Sequence, residues 1–284
     1  MPIIDGIGYS EYTAQKQADF AYLVGYHLNV AGHMITRAAA NRKTWPPWEY
    51  WYFDITAGKG TCPETDAPGS PLIFATEARQ KGVRARALLF EKEPENCASL
   101  REHLADYPEC TVIPGDHTIT LMPSIPEADR PHLGLLYCDT SGTYPPFPLL
   151  AEFASNKLTE RVDLLLYVSA TTIKRCCGAF PDKGFQLLSD GLASISKATW
   201  IIREPQGRHQ WTFICGSKWE GLSGFPKRGF YKLNTDEGQA ILRRLTYKGG
   251  ANGQPPVLDL PGVPEPSPVP TGANRSHAAQ QGAV

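Results

Sequence analysis

The sequence predicts an α/β fold: a Rossmann-like, doubly wound, seven-stranded and mainly parallel sheet that ends in an antiparallel hairpin strand. Three observations carry this. Short apolar runs alternate with helical stretches over residues 50–215. The last two runs are joined by a turn-forming stretch too short for a helical crossover, so they must pair antiparallel. An acid-and-glycine loop, Asp54-Ile-Thr-Ala-Gly-Lys-Gly60, follows the first run, at the strand end where such sheets hold ligands.

Taken in order, residues 9–40 carry Tyr12, Phe20, Leu23, Val24, Leu28, Met34 and Ile35 at mixed three and four spacing, which predicts one or two amphipathic helices before the sheet. Trp45-Pro-Pro-Trp48 ends them, because proline lacks an N–H and turns the preceding residue away from helical angles. Strands are expected at 50–55, 85–90, 111–113, 133–138, 163–168, 199–203 and 211–215, and helices at 70–81, 94–107, 147–156 and 184–196. Glu204-Pro-Gln-Gly-Arg-His-Gln210 makes the closing hairpin. One antiparallel strand at the end of a parallel sheet separates a methyltransferase-type sheet from the all-parallel dehydrogenase type. The domains read as a helical extension over 1–48, the sheet domain over 49–248, and a flexible tail over 249–284. Gly, Pro, Ser and Ala dominate that tail, and it could offer a proline-rich ligand to a protein partner.

With 284 residues, 42% of them hydrophobic, the chain can bury one large core. A net charge of −1 gives no global pull toward nucleic acid or an anionic membrane. No apolar run approaches the roughly 20 residues of a bilayer span, and the N-terminus lacks a signal-peptide pattern, so a cytoplasmic protein without membrane contact is expected. The seven cysteines are scattered and odd in number, with no CxxC pair; they read as reduced structural thiols, and no metal site is expected.

The candidate cofactor loop has Asp54 at the strand end, then Ala57, Gly58 and Gly60, where missing side chains let backbone approach a ligand. A carboxylate there suits a cationic sulfonium cofactor bearing an amino group, whereas a pyrophosphate would prefer a helix N-terminus without an acid. A Walker A loop is excluded because Phe53 and Gly60 stand where a glycine and a hydroxyl residue are needed, and GxGxxG is absent. Glu91, ending the second strand, sits where an acid accepts bonds from ribose hydroxyls. Asp116, after the third, could bond an adenine amino group or cap a helix. Asp139, ending the fourth, opens Asp-Thr-Ser-Gly142 on the side where an acceptor would lie. Thr143-Tyr-Pro-Pro-Phe147 behind it is similar to the proline-proline loop that amino-methylating enzymes use, or simply begins the next helix.

Several of these segments together resemble the three-Cys-motif partner family: Thr13-Ala-Gln-Lys16, Tyr52-Phe-Asp-Ile-Thr-Ala-Gly58, Gly69-Ser-Pro-Leu72, Phe90-Glu-Lys-Glu-Pro-Glu-Asn96, Gly115-Asp116 and Tyr137-Cys-Asp139. The resemblance spans residues 10–215 and implies a class I methyltransferase-like fold with S-adenosyl-L-methionine as cofactor. Thr56 and Lys59 stand where that family has Phe and Pro, and Asp-Thr-Ser-Gly replaces Asp-Pro-Tyr-Gly at 139–142. A weaker resemblance, to ribose 2′-O-methyltransferases with their Lys-Asp-Lys-Glu set, points to Lys16, Asp139, Lys174 and Glu204 as catalytic candidates.

Methyl transfer from a sulfonium needs alignment more than acid–base help. The leading expectation is an S-adenosylmethionine-dependent methyltransferase acting on a nucleic acid. Residues 200–248 hold nine Lys/Arg against four Asp/Glu, interleaved with aromatics, a mix that can bind phosphates and stack bases, or form a solvated basic face. The alternative is a protein of this fold that has lost transfer and acts as a binding or assembly partner in a mobile-element or defence system, motivated by the changed Asp139 loop. A hydrolase built on Asp139, Lys174 and His117 lacks a recognisable nucleophile arrangement.

Overall fold

The computed structural model describes residues 13–40, 49–62, 65–140, 142–177, 181–206, 210–220 and 229–245. The Trp45–Trp48 stop and the tail lie outside these residues. A single 28-residue helix, α1 (Thr13–Ala40), occupies the N-terminal amphipathic stretch. There follow β1 (Tyr50–Asp54), α2 (Ser70–Gln80), β2 (Ala85–Glu91), α3 (Pro94–His103), β3 (Cys110–Pro114), the single turn α4 (His117–Thr120) and β4 (Leu133–Cys138). The second half comprises α5 (Phe147–Ser155), β5 (Val162–Ser169), α6 (Ala170–Cys177), α7 (Pro181–Ala193), β6 (Thr199–Arg203), β7 (Trp211–Ser217), β8 (Phe230–Lys232) and α8 (Asp236–Leu245).

Among the described residues the sheet has eight strands, not the expected seven, in the order β3-β2-β1-β4-β5-β7-β6-β8. Strands β1 to β5 run parallel. β7 is inserted antiparallel between β5 and β6, as the short 204–210 connection requires. The extra strand, β8, adds antiparallel to the outer side of β6 and leads into α8. This Rossmann-like arrangement, with a parallel half-sheet wound both ways from β1 and an antiparallel β7 between β5 and β6, is the methyltransferase fold.

Alternation along each strand fills two cores. Tyr50, Tyr52, Leu135, Tyr137, Leu165 and Phe213 face α1, α2 and α3, while Phe53, Leu136, Leu164, Leu166 and Ile214 face α5 to α8. Glycine is required at Gly134 of β4, where a Cβ would run into the Trp51 carbonyl of β1. Helix α1 runs down its face of the sheet, tied by polar contacts at both ends. Lys16 and Asp19 near its start reach Asp139 and Arg203 at the carboxyl edge, and His27 bonds Tyr50 and Asp163 at the opposite edge.

All seven cysteines are free thiols, five of them buried. Among the described residues no helix is long and apolar enough to cross a membrane, and no group of His, Cys, Asp and Glu could hold a metal ion.

Candidate cofactor and acceptor site

Strands β2 and β4 flank β1, and the chain leaves β1 in both directions, so the crevice of a doubly wound sheet opens at the carboxyl ends of β1 and β4. Asp54 and Asp139 stand on its two sides. Each is preceded by a tyrosine two residues earlier, which the strand period places on the same face. Tyr52 Oη donates to Asp54 Oδ2 at 2.9 Å, and Tyr137 Oη to Asp139 Oδ2 at 3.3 Å.

Asp54 is wholly buried and its oxygens are fully used by the protein. Oδ2 accepts from Tyr52 and, at 2.6 Å, from Ser70 Oγ in the first turn of α2; Oδ1 accepts from Thr56 N–H at 3.1 Å. Burial raises its pKa to about 6, against the lowering effect of bonds from Ser70, Thr56 and Tyr52, and the nearby Asp139 charge pushes in the same direction as burial. Asp54 therefore shapes the loop and sets its charge. A direct ligand bond would have to displace one of these partners.

Beyond it the loop is pinned to both neighbouring strands: Ile55 N–H donates to Tyr137 O, and Ala57 N–H to Phe90 O, each at 3.1 Å. Gly58 and Gly60 have φ of +63° and +94°, the left-handed region that glycine tolerates. A Cβ built on Gly58 meets nothing within 4 Å, so the bare backbone borders open space. Gly60 O accepts from Gly69 N–H at 2.7 Å, closing the loop onto α2. On the other flank of β1, at the end of β2, Glu91 is half-buried, with Oε1 accepting from Glu93 N–H at 2.8 Å. Asp116 is exposed and caps α4: Thr118 N–H and Oγ1–H donate to its Oδ1 at 2.8 and 2.7 Å, which holds its carboxyl below the usual range.

On the β4 side, Asp139 Oδ2 is 2.7 Å from Lys16 Nζ, which also lies 4.7 Å from the centre of the Tyr167 ring. Its backbone N–H donates to Thr56 Oγ1 at 2.9 Å. The other members of the Lys-Asp-Lys-Glu set are not gathered here. Lys174 is exposed on α6, and Glu204 accepts from Arg244 of α8 at 3.1 Å. Tyr144 also points elsewhere, its hydroxyl 2.6 Å from Cys177 Sγ on α6, while Phe147 lies against Gly191 of α7. The Thr143–Phe147 segment thus begins α5 and fills the helical layer; Ser141 lies outside the described residues.

The three side chains that bond the two acids, Tyr52, Ser70 and Tyr137, differ in how far local sequence pattern assigns them that role. The Tyr-x-Asp pattern, present at 52–54 and again at 137–139, was legible from strand period alone. Ser70 carried no such signal, since only the fold brings the start of α2 under β1.

Among the described residues of 200–248, several basic and aromatic side chains are committed to the fold. Arg203, Lys218 and Arg244 pair with Asp19, Glu160 and Glu204, and Trp211 and Phe230 are buried. Trp219 and Tyr231 remain among the exposed large side chains.

No protein-family model and no curated protein matches this chain. Solved structures that it resembles include the CMeT domain of the citrinin polyketide synthase (13% identity, TM-score 0.43, 61% of this chain), and the match spans 47% of that protein's length. A putative rRNA-methylase from Clostridium thermocellum matches at 12% identity and TM-score 0.42, covering 74% of this chain and 97% of that one. A putative methyltransferase from Streptococcus mutans, in complex with SAH, matches at 12% identity and TM-score 0.40, covering 61% and 90%.

Proposed function

We propose that this protein is an S-adenosylmethionine-dependent methyltransferase whose cofactor lies over residues 54–60, with Glu91 on the ribose and Asp139 beside the acceptor. The observation that carries the reading is the crevice between β1 and β4: left-handed, side-chain-free Gly58 opens onto it, with acids at the ends of β1, β2 and β4. The resemblance of these segments to the three-Cys-motif partner family supports the same assignment.

The cofactor would supply a methyl group already activated on a sulfonium. What the chain contributes is alignment and charge. Gly58 admits the ligand to the backbone, Ala57 and Gly60 hold the loop's shape, and Glu91 can accept from ribose hydroxyls through the oxygen not used by Glu93. Asp54 lends negative charge through the loop, not by contact. Asp116 reaches an adenine amino group only through an oxygen not engaged in capping α4. Asp139, oriented by Lys16 and Tyr137, can accept a hydrogen bond from an acceptor hydroxyl or amine and direct its lone pair. Lys174 and Glu204 have no part in this reading.

A nucleic-acid acceptor is the finer part of the proposal, supported by exposed Trp219 and by exposed Tyr231, which Lys232 follows in β8. Salt-sensitive retention of RNA or DNA on filters is expected, and its absence removes that part alone.

Calorimetry with S-adenosylhomocysteine tests the core of it. Binding is expected, and Glu91→Ala should weaken it about ten- to hundredfold, the worth of bonds to a charged group. No binding by the folded protein, or equal binding by Glu91→Ala, defeats the reading.

A further inference from the structure

Thr56 occupies a position between the two halves of the crevice. Its hydroxyl accepts the Asp139 N–H at 2.9 Å, so its own proton is free to point elsewhere, and Asp54 Oδ1 lies 3.4 Å away. The same Oδ1 accepts the Thr56 N–H at 3.1 Å. An ionised carboxylate can only accept. With Asp54 ionised, the hydroxyl proton is drawn toward Asp54 and the lone pairs of Thr56 are turned to Asp139. A cation over the loop favours that ionised state. Eighty-three residues separate Thr56 from Asp139, and this bond joins the cofactor loop to the first residue after β4.

We propose that Thr56 is a positioning residue that couples occupancy of the cofactor loop to the placement of Asp139. The inference rests on the methyltransferase reading above. A filled loop fixes Asp54 and Thr56, and Thr56 in turn fixes the backbone amide of Asp139, so that its carboxylate meets an acceptor in one orientation. No bond is made or broken. The hydroxyl is the needed group, so serine should replace threonine and valine, of the same shape, should not.

The experiment follows the Asp139 amide by hydrogen exchange, with and without S-adenosylhomocysteine, in the full chain and in Thr56→Val and Thr56→Ser. Ligand binding is expected to slow exchange at Asp139 about tenfold or more in the unsubstituted protein and in Thr56→Ser, and to leave Thr56→Val unchanged. Global unfolding measured on the same samples separates this from a loss of stability, which would speed exchange throughout the sheet. If the ligand binds all three proteins and protects Asp139 equally, or fails to protect it in the unsubstituted protein, the coupling is overturned and the methyltransferase reading stands. If the ligand does not bind the unsubstituted protein at all, both fall together.

Discussion

Lys16 Nζ lies 2.7 Å from Asp139 Oδ2 across 123 residues of sequence, tying the first turn of α1 to the end of β4. The side chains are 27% and 14% exposed, between the screened surface pair and the buried one. Such a contact should be worth about 1 kcal/mol, more than most exposed pairs. A double-mutant cycle of Lys16→Met and Asp139→Asn in urea should return that coupling. If methyl transfer is established, both single variants should lower kcat more than they raise KM. A coupling indistinguishable from zero would show that Asp139 is held by Tyr137 and Thr56 alone.

Asp54 makes the sheet domain's stability depend on pH in a direction opposite to the usual carboxylate. Its folded pKa is about 6 against an ordinary 3.8, because burial outweighs its hydrogen bonds. Between those values the folded state holds a proton that the unfolded chain has released, so stability should fall as pH rises from about 4 to about 6 and level off above. The whole effect is about 3 kcal/mol. Asp116, whose carboxyl is held low, acts with the opposite sign at lower pH. Comparing urea midpoints with Asp54→Asn isolates the buried group: the variant should lose the downward slope in this window. Parallel curves would mean that Asp54 does not titrate there.

Gly58 separates a backbone requirement from a ligand requirement. Alanine there must adopt φ near +63°, costing about 1 kcal/mol, but its Cβ meets no protein atom within 4 Å. Gly58→Ala should therefore shift the thermal midpoint only modestly while weakening S-adenosylhomocysteine by at least about tenfold, because the methyl group projects where a ligand must approach. Equal affinity in a stable variant would place the ligand away from this part of the loop.

Much of the sheet was legible because strands β1 to β7 are apolar runs whose composition and length leave little else for them to be. The carboxyl-edge acids follow from the same pattern, since the runs of β1, β2 and β4 lead directly into Asp54, Glu91 and Asp139. β8 was not legible: Phe230, Tyr231 and Lys232 form a three-residue strand, only the first of them buried, and only its pairing with Ile201 to Arg203 identifies it. Helix α8 has Ile241, Leu242 and Leu245 at helical spacing, yet its arginines read equally as a basic patch until Glu204 is seen opposite Arg244. The candidate catalytic set divided for a related reason. Lys16 and Asp139 meet because α1, packed on the sheet face, begins at the carboxyl edge, whereas Lys174 and Glu204 point according to packing on other elements that no local pattern specifies.

The Asp19–Arg203 pair, which had no signal in the sequence, should prove the stronger fastening of α1. Its side chains are 14% and 11% exposed, and Nη1 lies 2.7 Å from Oδ2. The contact is ionic, without the geometry of a hydrogen bond, and Arg203 Nε, Asp19 Oδ2 and Trp211 Nε1 are buried without hydrogen-bond partners among the described residues. Removing one charge strands the other under the helix. Arg203→Met should cost about 3 kcal/mol in urea unfolding, the penalty of an unpaired buried charge. Replacing both, Asp19→Leu with Arg203→Met, should recover most of that loss, because neither desolvated charge remains and apolar side chains suit a site beside Phe20 and Trp211. A double variant no more stable than Arg203→Met would show that the pair contributes more than the mutual cancellation of two buried charges.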